Sequence, residues 1–448
     1  MNPYMPLKRT LGFWELTLMG VGIIVGAGIY VLVGIAGVQA GSALWVSFLL
    51  AGIIAGLMAL DYAELTSMLP KAGSTYYFTK EAFRSKPFAF IMGWITLATL
   101  VVSSAVVALG FGTYFKLLFP GISIATAAGG LIVFLAAINF FGVKYASGLN
   151  ILFTILEVAG LVAIILFGFG ILNPSYSLPE LSFESSGGIQ GILGASILAF
   201  FAYLGFETLA NEAEEAKKVR KTLPKAILTA IVICIILYVA TALAFTNIMS
   251  LDDITAAAQN KLGPLAVAGG KAGGALLLGA LGIIALFSTA NTVLIMMLGA
   301  SRMIYGLAED SALPKLFLKT SRFETPHFAI IFAALLSILI AFTGELKFIA
   351  EITVMGMFVV FFVDNASVVM LRKKEPKAER GFRIPFNIRG IPFSTVILGF
   401  ALVGIAANEF YKNNALLYGV LAIIILGFVA YYAERLIAQP KPETKKRK

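Results

Sequence analysis

Two short stretches combine residue types that a membrane-spanning helix ordinarily avoids. V-G-I-I-V-G-A-G-I-Y at 21–30 sets Gly22, Gly26 and Gly28 in an apolar run, and F-F-A-Y-L-G-F-E-T at 200–208 sets Gly205 beside the acid Glu207 in another. A helical Gly costs up to about 1 kcal/mol relative to Ala, and unwound backbone survives at membrane depth only where protein or a water-filled cavity satisfies it. The chemistry of such a break is electrostatic. Amides freed at the start of an outer half-helix attract a carboxylate, and carbonyls freed at the end of a preceding half-helix accept from an ammonium or bind a cation. An α-amino acid presents both groups about a bond apart. Small-x-x-x-small spacing, as from Gly22 to Gly26, also suits close helix packing, so the first stretch alone leaves both readings open.

A third candidate is Glu157, in N-I-L-F-T-I-L-E-V-A-G-L-V-A. An ionised carboxylate near mid-bilayer is expensive, which makes it a functional candidate by default. Three readings stand: a group that takes and loses a proton, a sodium ligand, or a neutral acid making one helix–helix hydrogen bond. Glu207 could gate or titrate. Asp61 and Glu64 sit near the end of an apolar run and are expected to pair with basic loop residues; Asp364 could do either. Glu15 is expected to serve as an N-terminal charge on the first helix or as a gate partner for a loop Arg. With one Cys and one His, the chain offers no disulfide framework, no Cys/His metal site and no Ser-His constellation. Acid–base chemistry would fall to Glu157 and Glu207 alone, which argues against an enzyme. No cofactor is expected.

These residues must be held by spans of roughly 20 apolar residues each. The chain has 448 residues, 59% of them hydrophobic and 13% charged, where an ordinary soluble domain carries about 25% charged residues. It reads as an all-α integral membrane protein. Apolar runs predict about twelve spans, at 13–40, 43–69, 86–118, 123–141, 146–172, 189–213, 223–246, 275–307, 327–343, 348–371, 392–410 and 415–437. The Gly-rich lead-in at 263–274 reads as a re-entrant piece or loop. The first run would be roughly 42 Å of continuous helix against a core of about 30 Å, too long unless tilted or interrupted.

The net charge of +10 follows from where the charges lie. Placed on that count, roughly 29 of the 34 basic residues fall on one side, against Lys116, Lys261, Lys271, Lys347 and Lys412 on the other. Both termini are then cytoplasmic in a cell membrane, and the balance answers to topology and anionic lipid rather than to nucleic acid.

Helices 1 and 6 become corresponding members if the chain is two five-helix units plus two more helices. A pair of Gly-interrupted spans in corresponding positions points to a secondary transporter with inverted repeats. The motifs agree. G-I-I-V-G-A-G-I-Y, Y-A-E-L-T-S-M-L-P-K-A-G-S-T-Y-Y at 62–77, F-F-A-Y-L-G-F-E-T-L-A-N-E-A-E-E-A with L-P-K-A-I, and S-T-A-N-T-V-L-I-M-M-L-G-A-S-R-M-I-Y-G-L-A-E-D-S-A-L-P-K at 288–315 resemble, in order, those of the amino acid–polyamine–organocation superfamily. They are similar to its cationic amino acid transporter-like branch. The resemblance implies a LeuT-like fold: repeats at 13–172 and 189–371, extra helices within 391–437, a cytoplasmic N-terminus at 1–12 and a basic tail at 438–448. It also implies amino acid transport by alternating access. Substrate is expected at Ile24, Gly26, Ala27 and Gly28 on helix 1 and at Phe200, Phe201, Ala202 and Gly205 on helix 6.

Two departures from that family set the expected specificity. Cationic-substrate members place a Glu on helix 3 where Thr99 stands here, and an Arg or Lys substrate without that counter-ion would cost several kcal/mol. A neutral, apolar side chain is therefore expected, bordered by Thr99, Ser103, Phe206 and Met296 or Met297. Proton-coupled members carry a Lys on helix 5 where Glu157 stands. That makes Glu157, near Ser288 and Thr289, with Glu207, the expected ion-coupling set, for protons first and sodium as the alternative. Exchange of one amino acid for another is a second reading, and a sensor that binds without transporting a third. Oligomeric state is not readable, although helices 11 and 12 lie outside the repeat.

Overall fold

The computed structural model describes residues 11–26, 28–70, 74–141, 146–214, 216–309, 313–323, 325–343 and 345–438. The chain runs α1 (Phe13–Val25), α2 (Gly28–Ala40), α3 (Leu44–Met68), α4 (Ser74–Phe83), α5 (Lys86–Leu118), α6 (Ile124–Phe141), α7 (Ala146–Gly168), α8 (Gly188–Tyr203), α9 (Val219–Ile248), α10 (Leu251–Gln259), α11 (Pro264–Glu309), α12 (His327–Ala341), α13 (Leu346–Lys374), a two-stranded ribbon, α14 (Phe393–Lys412) and α15 (Asn414–Ala438). Among the described residues, nine helical segments are long and apolar enough to cross a bilayer, and Phe13–Val25, Leu152–Gly168 and His327–Ala341 are shorter apolar helices. On α12, Ile331, Leu335 and Leu339 form an i, i+4 stripe left exposed, the face a membrane helix turns to lipid.

The elements that position the site are broken or pinned by identifiable residues. α1 stops at Val25, and α2 begins at Gly28 after a turn; Ala27, a predicted ligand, lies outside the described residues. α8 stops at Tyr203, Leu204 is extended, and Gly205 takes φ +121°, a conformation only Gly adopts cheaply. Beyond it the chain does not resume an α-helix. It continues as a 3-10 turn at Thr208–Glu214, so the single helix expected at 189–213 is α-helical only as far as Tyr203. Besides its backbone bonds, two side chains hold that turn: the Glu207 carboxylate accepts from the Gly205 amide at 2.8 Å, and the Thr208 hydroxyl donates back to the Gly205 carbonyl.

The lead-in before helix 8 is helical rather than loop. Gly274 (φ 74°, ψ −166°) reverses the chain inside α11. A Cβ on Gly269, Gly270 or Gly273 would meet Leu281, Leu278 or Leu277 respectively, so the two limbs fold back on each other as a hairpin, which the missing side chains permit. Between α13 and α14, β1 (Asn387–Ile388) pairs with β2 (Ile391–Pro392) through Arg389 and Gly390, both at positive φ, the geometry of a tight two-residue hairpin turn.

Candidate functional site

The two helix breaks are packed against each other. A Cβ on Gly28 would collide with the backbone of Ala202, and one on Gly26 with the Thr292 hydroxyl. On Gly205 it would come 2.7 Å from the Ile23 side chain and 3.1 Å from its carbonyl. Each glycine is thus the contact point at which one interrupted helix touches another element, so the close-packing reading holds, and it holds at the breaks themselves.

Polar groups at the breaks are met from neighbouring helices. The Tyr238 hydroxyl on α9 lies 2.7 Å from the Ile24 carbonyl and 3.0 Å from that of Ala202. With one proton for two acceptors, it can satisfy only one carbonyl at a time and leaves the other available. Ser288 on α11 donates to the Gly26 carbonyl. Tyr30, on the outer half of the first pair, accepts at its carbonyl from Tyr114 (2.5 Å) and donates its own hydroxyl to the backbone carbonyl of Glu157 (2.6 Å). Sequence reasoning missed Tyr238, Tyr114 and Tyr30. Their one signal is a phenol buried in an apolar helix, since such hydroxyls normally find a partner.

Beside the breaks lies a cavity of about 20 Å³, room for roughly one water. Of the predicted site residues, Thr99, Ser103, Gly205, Glu207 and Met296 line it, together with Met357, which sequence reasoning did not single out. Thr99 donates to the carbonyl of Thr96 (2.8 Å) and approaches the Met357 sulfur at 3.2 Å. Ile24, Gly26 and Gly28, with Phe200, Phe201 and Ala202, are buried and lie outside that lining. Phe206 does not line the cavity; it stacks on Phe361 at 5.6 Å and lies edge-on to Tyr62. Met297 is buried and also outside the lining.

Glu157 on α7 is 1% exposed, and neither carboxyl oxygen makes a hydrogen bond of ordinary geometry. The side chains that act on it are Asn291 and Ser288 on α11. Thr289 turns back to its own helix, donating to the Ala285 carbonyl at 2.7 Å. Among the described residues no group of three or more His, Cys, Asp or Glu side chains is arranged to hold a metal.

The remaining acids divide by partner. Glu15 accepts from the Gly12 amide at 3.1 Å, the N-terminal role expected of it. Glu64 pairs with basic residues as expected: Arg372 Nε at 2.7 Å and Arg380 Nε at 3.3 Å. Asp61 does not. Three residues deeper in α3, it accepts from Asn365 Nδ2 and Thr395 Oγ1, both at 2.8 Å, so neutral donors take the place of the expected cations.

The family model described as amino acid permease matches residues 11–431. The chain is 32% identical over 406 residues to the methylthioribose transporter of Bacillus subtilis (strain 168), covering 85% of each chain. It is 30% identical over 418 residues to the branched-chain amino acid permease BcaP of the same organism, covering 89% of this chain and 86% of the relative. It is also 30% identical to the vacuolar cationic amino acid transporter 4 of Arabidopsis thaliana over 394 residues, 83% of this chain and 64% of that one. With two helix breaks in contact beside a cavity, and with that match along almost its whole length, the chain belongs to the amino acid permease family, and it is a multi-pass membrane transporter, not an enzyme.

Proposed function

We propose that the protein is a secondary active transporter for neutral, apolar L-amino acids, driven by protons and working by alternating access. In this reading it has twelve spans: two inverted five-helix repeats of the LeuT-like kind at 13–172 and 189–371, and two further helices within 391–437. Both termini lie on the cytoplasmic side of the cell membrane. The observation that carries it is the contact of the two breaks, Gly28 against Ala202 and Gly205 against Ile23. It sets the amide-bearing start of α2 opposite the carbonyl-bearing end of α8, the two charges an amino acid backbone needs.

Specificity would come from the cavity beside it. Ile23, Leu100, Ile295, Met296 and Met357 give it an apolar wall; Glu207, the acid in that wall, has its Oε2 engaged by the Gly205 amide. A cationic side chain would find no uncommitted carboxylate at Thr99. The branched-chain relative, by its name, supports the same substrate class; the Arabidopsis relative supports a cationic alternative. At about 20 Å³ the cavity is too small for any amino acid, so substrate entry requires the helices to part, as alternating access demands.

Coupling would run through Glu157. Ser288 already gives its proton to the Gly26 carbonyl, so its oxygen is free to accept from a protonated Glu157. The acid and the helix break would then share a chain of two hydrogen bonds, present only when Glu157 holds its proton. Uptake of radiolabelled amino acids into proteoliposomes tests the function. Accumulation of apolar amino acids, with Lys and Arg excluded, supports it; uptake of Lys or Arg first would favour the cationic reading, and binding without any accumulation would make the protein a sensor.

A further inference from the structure

One further buried acid is used neither by the helix breaks nor by the Glu64 ion pairs. Asp364 on α13 is 1% exposed. Its Oδ2 lies 2.7 Å from the Tyr62 hydroxyl on α3 and 2.9 Å from that of Thr75 on α4, and the two hydroxyls are themselves 2.9 Å apart. Three oxygens therefore form a triangle in which every edge has hydrogen-bond length. Counting protons decides its charge state. With Asp364 ionised there are two hydroxyl protons for three edges, so one edge would press lone pairs together. With a proton on Oδ2 there are three. Asp364 donates to Thr75, Thr75 to Tyr62, and Tyr62 back to Oδ2, and each oxygen gives one bond and receives one.

The rest of the surroundings agree. Oδ1 of Asp364 is buried with no hydrogen-bond partner, tolerable for the carbonyl of a neutral acid and costly for a carboxylate. The charged groups that act on Asp364 are Asp61 on α3 and Glu207 after α8, both acids. Among the described residues no cation is bonded to it. Arg372, on its own helix, is committed to Glu64. Lys80 of α4 lies over the rings of Tyr76 and Tyr77, Lys374 is bonded to the Ala82 carbonyl, and Lys412 of α14 is paired with Glu409. Lys86 at the start of α5 is exposed, and α8 carries no charged residue.

We propose that Asp364 is a second proton-binding group of the transporter, and that its proton closes a three-helix junction joining α3, α4 and α13 next to the break at Gly205. Loss of that proton leaves one edge of the triangle unbonded and a charge facing two other acids, so the junction opens and takes in water. The junction is linked to the site through aromatic contact: the Tyr62 ring lies edge-on to Phe206, at 5.6 Å, and to Phe361, and Phe206 is the residue between Gly205 and Glu207 at the break. This rests on the proposed transport function for its meaning, but its test needs neither substrate nor an ion gradient, so the two can fail separately.

The test is infrared difference spectroscopy of the full-length protein in lipid as pH is raised, with hydrogen–deuterium exchange of α4 and the inner end of α3 followed in parallel. The expected result is a carboxylic-acid C=O band at the high-frequency end of its range, as befits a carbonyl without a partner. It should be absent from Asp364→Asn, present in Glu157→Gln, and lost on alkalinisation together with a tenfold or greater fall in the protection factor of both segments, taken against the intrinsic exchange rate at each pH. Asp364→Asn should keep the protection factors high at every pH. If that variant does not fold, Tyr62→Phe serves instead, because removing one member of the ring must shift the band. A band unchanged in the Asp364 and Tyr62 variants, or protection factors that ignore pH, overturns the proposal.

Discussion

Glu64 and Glu157 are both carboxylic acids in apolar helices, 2% and 1% exposed, and they are met in opposite ways. Glu64 receives Arg372 through Nε and Nη2, the Ile384 amide at 2.8 Å, and Arg380; Glu157 receives no hydrogen bond of ordinary geometry at either oxygen. Burying a charge is repaid only when partners and geometry are complete. The first acid is therefore a fastener, which ties α3 to the end of α13 and to the segment that follows it. The second has no ion pair to fix its charge, and only Asn291 and Ser288 act on it, which is what the proposed proton coupling requires of it.

The largest effect should come from undoing the fastener. Glu64→Ala leaves Arg372 buried without its carboxylate and should destabilise the protein by about 3–5 kcal/mol, read as a lower thermal midpoint or loss of folded protein in detergent. Glu157→Gln, by contrast, should leave the midpoint nearly unchanged, since no ion pair is broken. A comparable loss in both variants would erase the distinction.

Gly28→Val should cost about 1–3 kcal/mol or more of overpacking where the breaks touch, and substrate binding should vanish while the fold persists; calorimetric titration of the purified variant with substrate would show it. Retained affinity would mean that the break is packing alone. Tyr238→Phe removes the donor shared by Ile24 and Ala202 and should weaken binding by about 1–3 kcal/mol, roughly five- to 150-fold in Kd, by the same titration. The smallest change concerns choice rather than strength. Thr99→Glu should admit Lys or Arg, measurable as competition against labelled substrate; no gain of cationic uptake would displace the side-chain pocket from Thr99.

What was legible in the sequence was local. Gly26, Gly28 and Gly205 announce the breaks because few other reasons put glycine beside an acid or another glycine within a span, and Thr99, Ser103 and Met296 were placed by motif alignment and line the cavity. What was hidden depends on contacts between distant segments. Nothing in an apolar α9 signals that Tyr238 will reach two carbonyls from different helices, and nothing in Asp61 says that its donors come from α13 and α14. The lead-in at 263–274 left two alternatives, a re-entrant piece or a loop, and the loop is the one that fails: glycine usually marks loop, but here Gly269, Gly270 and Gly273 allow one helix limb to lie on another. The 3-10 turn after Gly205 was likewise out of reach, because its hydrophobic pattern is that of a helix and the bonds of Glu207 and Thr208 to the Gly205 backbone show only in the structure.

The central claim, that two touching helix breaks hold the amino acid while the buried Glu157 couples it to protons, is tested most directly by one measurement: accumulation of a labelled apolar amino acid in proteoliposomes under an inward proton gradient without sodium, wild type against Glu157→Gln. The account predicts accumulation against the concentration gradient by the wild type, and by the variant exchange of internal for external amino acid but no accumulation. Accumulation by Glu157→Gln equal to wild type, or accumulation by the wild type only when sodium is supplied, would contradict it.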